Sequence, residues 1–99
     1  MIRHVAMFRF KPEVTVEQRR AARDALASNE VHCPTVREYT VGLDLERNPN
    51  NWDMVLVGDF DDIAALEAYF THPHHNEISD RIDALTYAEQ TARVQFEIG

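Results

Sequence analysis

The sequence predicts a small α+β fold: one antiparallel sheet with helices packed on one side, in the order strand–helix–strand–strand–helices–strand. Three observations predict this order. Apolar and polar residues alternate near both ends of the chain, at 2–11 and 92–98, which is typical of strands. A turn-rich segment, 47–51, joins two β-rich runs at 35–45 and 52–60 as an antiparallel hairpin. Segments with apolar residues at helical spacing separate these strands.

The first strand and the first helix are bounded by clear signals. Pro12 ends the strand at 2–11. Thr15, with Gln18 three residues later, forms a capping-box pattern, so a helix begins at residue 16. We expect this helix to run to about Asn29, before Pro34 closes the connection to the second strand.

Two helices are predicted between the third and fourth strands. Asp61 caps the first of them, which carries apolar residues at helical spacing, namely Ile63, Leu66 and Phe70. The residue before a proline is pushed out of the α region, so His72-Pro73 interrupts this helix. Pro73 suits the first position of a third, short helix, whose apolar stripe is Ile78, Ile82 and Leu85. The complete order, βαββ(αα)β, is that of a ferredoxin-like antiparallel sheet.

The strands are apolar on both faces, which predicts a homodimer. Val5 and Met7 lie on the face of the first strand that opposes Ala6 and Phe8, and the third strand repeats the pattern with Val55 and Val57. An antiparallel sheet with one face in water should be polar there, and the helices can cover only one face. The simplest way to cover the other face is a second copy of the same sheet.

Composition and charge limit the partners. The 99 residues suffice for one domain, spanning 1–99. The net charge of −7, from 17 acidic and 10 basic residues, argues against nucleic acid and against an anionic membrane surface. The one basic cluster, 19–23, is interpreted as the solvated face of a helix. No apolar run approaches the ~20 residues of a membrane span, and the single cysteine, Cys33, fits a reducing compartment. We expect the protein to be located in the cytoplasm.

The histidines near the helix break are the candidate chemical groups. His72, His74 and His75 straddle the break and diverge, so no structural metal is expected, and no phosphate-binding loop or nucleophile elbow is present. We therefore predict no cofactor. His74 and His75 flank the apolar stripe almost symmetrically, which leaves open which of them faces a pocket. Three roles are open for these histidines: hydrogen bonds to the backbone at the kink, contact with a ligand, or catalysis.

Tyr69 and His4 are the other candidates. Tyr69 is expected to be half-buried, with its hydroxyl at the edge of a pocket or simply packed. His4 lies on the helix-facing side of its strand, as a satisfied core histidine or as a pocket wall.

Several segments together resemble the stress-responsive α/β-barrel (Dabb) family. They are Ile2-Arg3-His4-Val5, Phe8-Arg9-Phe10-Lys11, Val41-Gly42-Leu43-Asp44, the strand 52–57, Phe60-Asp61-Asp62 and, most specifically, Tyr-x-x-His-Pro-x-His from Tyr69 to His75. The resemblance covers nearly the whole chain. It implies dimers in which two sheets close into an α/β barrel.

The resemblance extends to plant polyketide (olivetolic acid) cyclases and implies roles for particular residues. His75 corresponds to the general base, Tyr69 to the residue that orients or protonates the substrate, and His4 to a cavity wall. His72 joins His4 as a candidate substrate contact. The chain departs from the family at Gln95-Phe96-Glu97, where members usually end in Asp-Tyr-Glu or Asp-Phe-Glu, and at Asp44, where Asn is common.

Three functions follow as hypotheses. The first is a dimer that binds a small hydrophobic molecule, acting as a cofactor-free cyclase or lyase on a polyketide-like carbonyl compound. The second is a non-catalytic, stress-associated binding protein in which the same residues only hold the kink. The third is a cofactor-independent monooxygenase, a group that shares the dimeric barrel but lacks the His-Pro-x-His signature.

Overall fold

The computed structural model describes residues 1–99 and contains one four-stranded antiparallel sheet with helices on one face. The elements are β1 (Ile2–Phe8), α1 (Val16–Ala27), α2 (Asn29–His32), β2 (Val36–Leu43), β3 (Met54–Phe60), α3 (Ile63–Phe70), α4 (Pro73–Leu85), one 3₁₀ turn (Ala88–Gln90) and β4 (Ala92–Glu97). The strands lie in the order β2-β3-β1-β4, and each neighbouring pair is antiparallel. The predicted ferredoxin-like fold is therefore confirmed.

The first strand is shorter than predicted because a loop carboxylate closes its end. Asp53 donates its backbone N–H to the carbonyl of Phe8 at 2.9 Å. Its side-chain Oδ2 accepts the backbone N–H of Phe10 at 2.8 Å. Phe10 keeps only a single bridge, to Thr86, so the ladder ends at Phe8.

The first helix begins with the predicted capping box. Thr15 Oγ1 accepts the N–H of Gln18 at 3.1 Å, and Gln18 Oε1 accepts the N–H of Thr15 at 2.8 Å. The helix ends at Ala27, two residues earlier than expected, and a separate turn, α2, follows from Asn29.

The predicted cap of α3 is wrong by one residue. Asp62, not Asp61, accepts the N–H of Ala65, at 2.8 Å. Asp61 instead makes an exposed bidentate ion pair with Arg37, at 2.8 and 2.9 Å. Two adjacent aspartates offer the same local signal, and only the pairing with β2 separates them.

The helix that begins at Pro73 is not short: with 13 residues, α4 is the longest helix of the fold. Pro73 occupies its first turn, as predicted, and Ile78 and Ile82 are buried. No helix of the structure combines the length and hydropathy needed to cross a membrane.

The two faces of the sheet differ in what covers them. The inner face packs against the helices and forms a core that includes Ala6, Leu56 and Phe60. No helix covers the outer face, and Val94 and Phe96 of β4 are 53% and 45% exposed there. Since Val94 pairs with Val5 in the register of β4 on β1, the apolar residues of β4 continue the outer face.

The caps of α3 give a test of the fold. Asp62→Ala should cost about 1 kcal/mol, because the N–H of Ala65 loses its acceptor. For a domain of this size, that lowers the melting temperature by roughly 4–8 °C. Asp61→Ala is the matched control, since an exposed ion pair contributes little. A larger drop for Asp61→Ala than for Asp62→Ala in thermal melts would contradict the assignment.

Candidate functional site

A cavity of about 130 Å³ lies between the inner face of the sheet and the helices. Half of the residues that line it are apolar, namely Ala6, Phe8, Leu26, Leu56, Phe70 and Ile82. The other half carry polar or ionisable groups, namely His4, Tyr69, His75, Ser79, Asp83 and Arg93. A larger and more open concavity, about 450 Å³, lies near the β2–β3 turn and contains Trp52 and Leu45. It holds none of the predicted site residues. The smaller cavity is therefore the candidate site.

The start of α4 determines which histidine faces this cavity. His75, the third residue of the helix, lines the cavity, with its ring centroid 4.4 Å from that of Tyr69. His74 points elsewhere: its Nε2 lies 2.8 Å from the hydroxyl of Ser28, and its ring stacks on His32 at 4.1 Å. The structure thus selects His75 from the pair that the sequence left open.

His72 is not brought into the cavity. Its Nδ1 accepts the backbone N–H of His74 at 3.1 Å, which makes it the cap of α4. His72 therefore has a structural role at the kink and does not line this cavity, and its predicted contact with substrate stays a prediction. This cap, together with Pro73, starts the helix without His75.

Tyr69 is more deeply buried than expected. Only 1% of its surface is exposed, and its hydroxyl lies 2.6 Å from that of Tyr39. Asn29 Nδ2 in turn donates to the Tyr39 hydroxyl at 3.1 Å. Burial raises the pKa of Tyr69, and raises the pKa of Tyr39 to about 12. The expectation of a half-buried Tyr69 was wrong because β2 supplies a partner that the local sequence does not reveal.

His4 is both a satisfied core histidine and a cavity wall. It is 3% exposed, and its Nδ1 accepts a hydrogen bond from Gln95 Nε2 at 2.9 Å. Burial lowers its pKa to about 4, with smaller contributions from the charges of Arg93 and His75. A neutral imidazole whose Nδ1 accepts must carry its proton on Nε2. The Nε2–H of His4 has no partner in the protein and is free to donate.

His75 has the complementary arrangement. Its Nδ1 lies 3.3 Å from Asn76 Oδ1, an acceptor, so the ring proton belongs on Nδ1. Its Nε2 then carries a lone pair, with only the hydroxyl of Ser79 near it, at 3.5 Å. Burial lowers the pKa of His75, against the opposing effect of its contacts with Asn76 and the backbone of Phe70, and so favours the neutral ring. The cavity therefore presents one imidazole that can accept a proton and one that can donate a hydrogen bond.

Sequence reasoning missed the polar residues that β4 contributes. Arg93 lines the cavity and Gln95 binds His4, because both alternate with the apolar residues of the outer face. The signal was present: if Val94 and Phe96 face away from the helices, their neighbours must face toward them.

The fold and the site define a class of protein: a ferredoxin-like chain with an imidazole-lined cavity on the helix side and an apolar face on the other side of the sheet. The family model of the stress responsive A/B barrel domain (Dabb) matches residues 2–98. The chain therefore belongs to the Dabb family, and the resemblance drawn from the Tyr69–His75 motif is confirmed. A comparison with curated proteins finds no match.

Solved structures share the fold over nearly the whole chain. A dimeric ferredoxin-like protein of unknown function from Thermobifida fusca is 31% identical, with a TM-score of 0.87, and the match covers 98% of this chain and 90% of that chain. Hydroxynitrile lyase from Passiflora edulis is 17% identical, with a TM-score of 0.85 over 99% and 93%. An antibiotic biosynthesis monooxygenase is 19% identical, with a TM-score of 0.79 over 100% and 99%. The last two show a likeness of fold alone.

Acid should destabilise the protein through His4. Its pKa is about 4 in the fold and 6.5 ordinarily, so between these values the unfolded chain binds a proton that the folded chain does not. Stability is therefore lost as the pH falls from about 6.5 towards 4, by on the order of 2 kcal/mol between pH 7 and pH 5. Urea unfolding at these two pH values should show a smaller loss for His4→Gln than for the unmodified protein. Equal losses would rule out His4 as the source.

Proposed function

We propose that the protein is a homodimer whose helix-side cavity binds a small carbonyl compound, on which it acts as a cofactor-free lyase or cyclase. The observation that carries the proposal is the pair of imidazoles that line one cavity: His75, whose Nε2 lone pair has only the Ser79 hydroxyl near it, at 3.5 Å, and His4, whose Nε2–H has no partner in the protein. A proton acceptor and a hydrogen-bond donor together are what removal of a proton next to a carbonyl requires.

The chemical step uses the two rings in different ways. His75 Nε2 takes the proton from the carbon next to the carbonyl, and the C–H electron pair forms the enolate. Negative charge develops on the carbonyl oxygen, which accepts the Nε2–H of His4. In a cyclase the enolate carbon then attacks a second carbonyl of the same compound, whose oxygen becomes an alkoxide; in a lyase the enolate expels a group from the neighbouring carbon together with its bonding electron pair. His75 holds the proton as an imidazolium and returns it to that alkoxide or to that leaving group. No atom or electron is needed from outside the cavity and its ligand.

In this scheme Tyr69 is a wall and not the principal donor. Its hydroxyl forms a hydrogen bond with that of Tyr39, and its ring packs against His75, with 4.4 Å between the ring centroids. His4 therefore takes the role that the family resemblance gives to the tyrosine. The cavity, about 130 Å³, is close to the roughly 150 Å³ of a cavity that holds one benzene ring. The part of the substrate inside it is therefore about one ring in size.

The contacts give less support to the second hypothesis, a non-catalytic, stress-associated binding protein in which these residues only hold the kink. It requires His75 to hold the kink between α3 and α4, but His72 and Pro73 already do so. The hydrogen bonds of His75 to side chains are long, at 3.3 and 3.5 Å, and both partners lie on its own helix; its ring also lies near the backbone of Phe70 at the end of α3. A purely structural histidine would be expected to make shorter bonds to groups elsewhere in the fold.

The outer face of the sheet supports a homodimer. Val5, Met7, Val55 and Val57 form its centre, and Val94 and Phe96 extend it to the edge of β4. Isolated protein chains rarely expose a large contiguous apolar patch. The relative from Thermobifida fusca is described as dimeric, which supports a second copy as the cover.

A charge on the outer face should separate the dimer. Light scattering at micromolar concentration should give about twice the 11.4 kDa chain mass for the unmodified protein. Val94→Glu places two like charges in an apolar interface and should give the monomer mass. Val31→Glu, at a valine that is 81% exposed on α2, is the matched control and should remain dimeric. A monomeric unmodified protein, or equal behaviour of the two variants, would refute the assignment.

Replacing His75 should remove catalysis without unfolding the protein. Acetophenone in D₂O serves as a probe, because exchange of its methyl protons, followed by NMR, reports proton abstraction next to a carbonyl. The unmodified protein and His74→Ala should accelerate exchange, whereas His75→Ala should match the buffer rate. His75→Ala should lose less than about 1 kcal/mol of stability, because its hydrogen bonds are weak. Undiminished exchange in His75→Ala would exclude it as the base.

A further inference from the structure

Arg93 brings a positive charge to the candidate cavity. It lies on β4 opposite Ala6 of β1, so its side chain leaves the sheet on the face that the helices cover. It lines the cavity together with His4 and His75. Burial is the main cause of the lowered pKa of both imidazoles, and the charge of Arg93 adds to it.

The arginines that lie beside carboxylates elsewhere in the fold make ion pairs. Arg3 pairs with Asp59, Arg37 with Asp61, and Arg19 and Arg23 also lie within 4.0 Å of acidic groups. Arg93 makes no such pair, although Asp83 lines the same cavity and acidic residues outnumber basic ones by 17 to 10. Its five N–H donors are therefore left for water or for a ligand.

Two donors converge on the cavity without an acceptor from the protein. They are the guanidinium of Arg93 and the Nε2–H of His4. The remaining walls are mostly apolar, from Phe8, Leu26 and neighbouring side chains. An apolar pocket with convergent donors and a cation suits a ligand whose apolar body ends in anionic oxygen.

We propose that the cavity takes monoanionic carboxylates or enolates with a body of about one ring, and that Arg93 binds the anionic oxygens as the residue that sets this preference. This inference rests on the proposed function of the same cavity and names its ligand class. The carboxylate of Asp83, on the same lining, disfavours a second negative charge on the ligand.

Benzoate and benzamide test the charge preference, because they share size and shape but differ in charge. Calorimetric titration of the full-length protein should show benzoate binding about ten-fold more tightly than benzamide, as charge-assisted hydrogen bonds are the stronger kind. In Arg93→Gln the two affinities should become equal, through a loss for benzoate alone. Arg47→Gln removes an arginine outside the cavity and should keep the ten-fold preference. Arg93 is exposed and makes no hydrogen bond, so circular dichroism should show Arg93→Gln folded.

The outcomes separate this inference from the function it rests on. Equal binding of benzoate and benzamide to the unmodified protein would overturn the role of Arg93 and leave a neutral-ligand cavity standing. A benzoate preference that survives in Arg93→Gln would overturn it as well. Failure of both compounds to bind at millimolar concentration, with no shift of the His75 ring resonances, would overturn the inference and the small-molecule function together.

Discussion

The register of β4 on β1 is the constraint on which the rest of the structure depends. Val94 pairs with Val5, and Gln95 pairs with His4. Side chains alternate along a strand, so this one register places an apolar face outward and a polar face toward the helices. A slip by one residue would exchange the two faces. It would remove the partner of His4 and the cation of the cavity, and would place charged residues on the face proposed for the dimer.

Much of the fold follows from local patterns because the determining interactions are short in range. The capping box at Thr15 and the start of α4 at Pro73 need only neighbouring residues. Features set by distant partners could not be predicted. The end of β1 depends on Asp53, 45 residues beyond Phe8, and the choice of Asp62 over Asp61 depends on Arg37 in β2.

The same distinction applies to the site. The family motif identified His75 and His4, which the fold brings to one cavity. It could not show that the hydroxyls of Tyr69 and Tyr39 form a hydrogen bond, since that contact joins α3 to β2 across the core. Arg93 belongs to no recognisable sequence motif. Only the combination of strand alternation with the direction of the apolar face identifies it, and that direction is a property of the assembled sheet.

Gln95 links the departure from the family pattern to the chemistry of the cavity. An aspartate in this position would accept a hydrogen bond from the Nδ1–H of His4 and raise the pKa of the ring. The amide of Gln95 instead donates to Nδ1, so the proton of neutral His4 lies on Nε2, the nitrogen left free. With an aspartate, the ring would present either a lone pair or a positive charge. With Gln95 it presents an uncharged donor, so proton abstraction is left to His75, and the only fixed positive charge of the lining is that of Arg93.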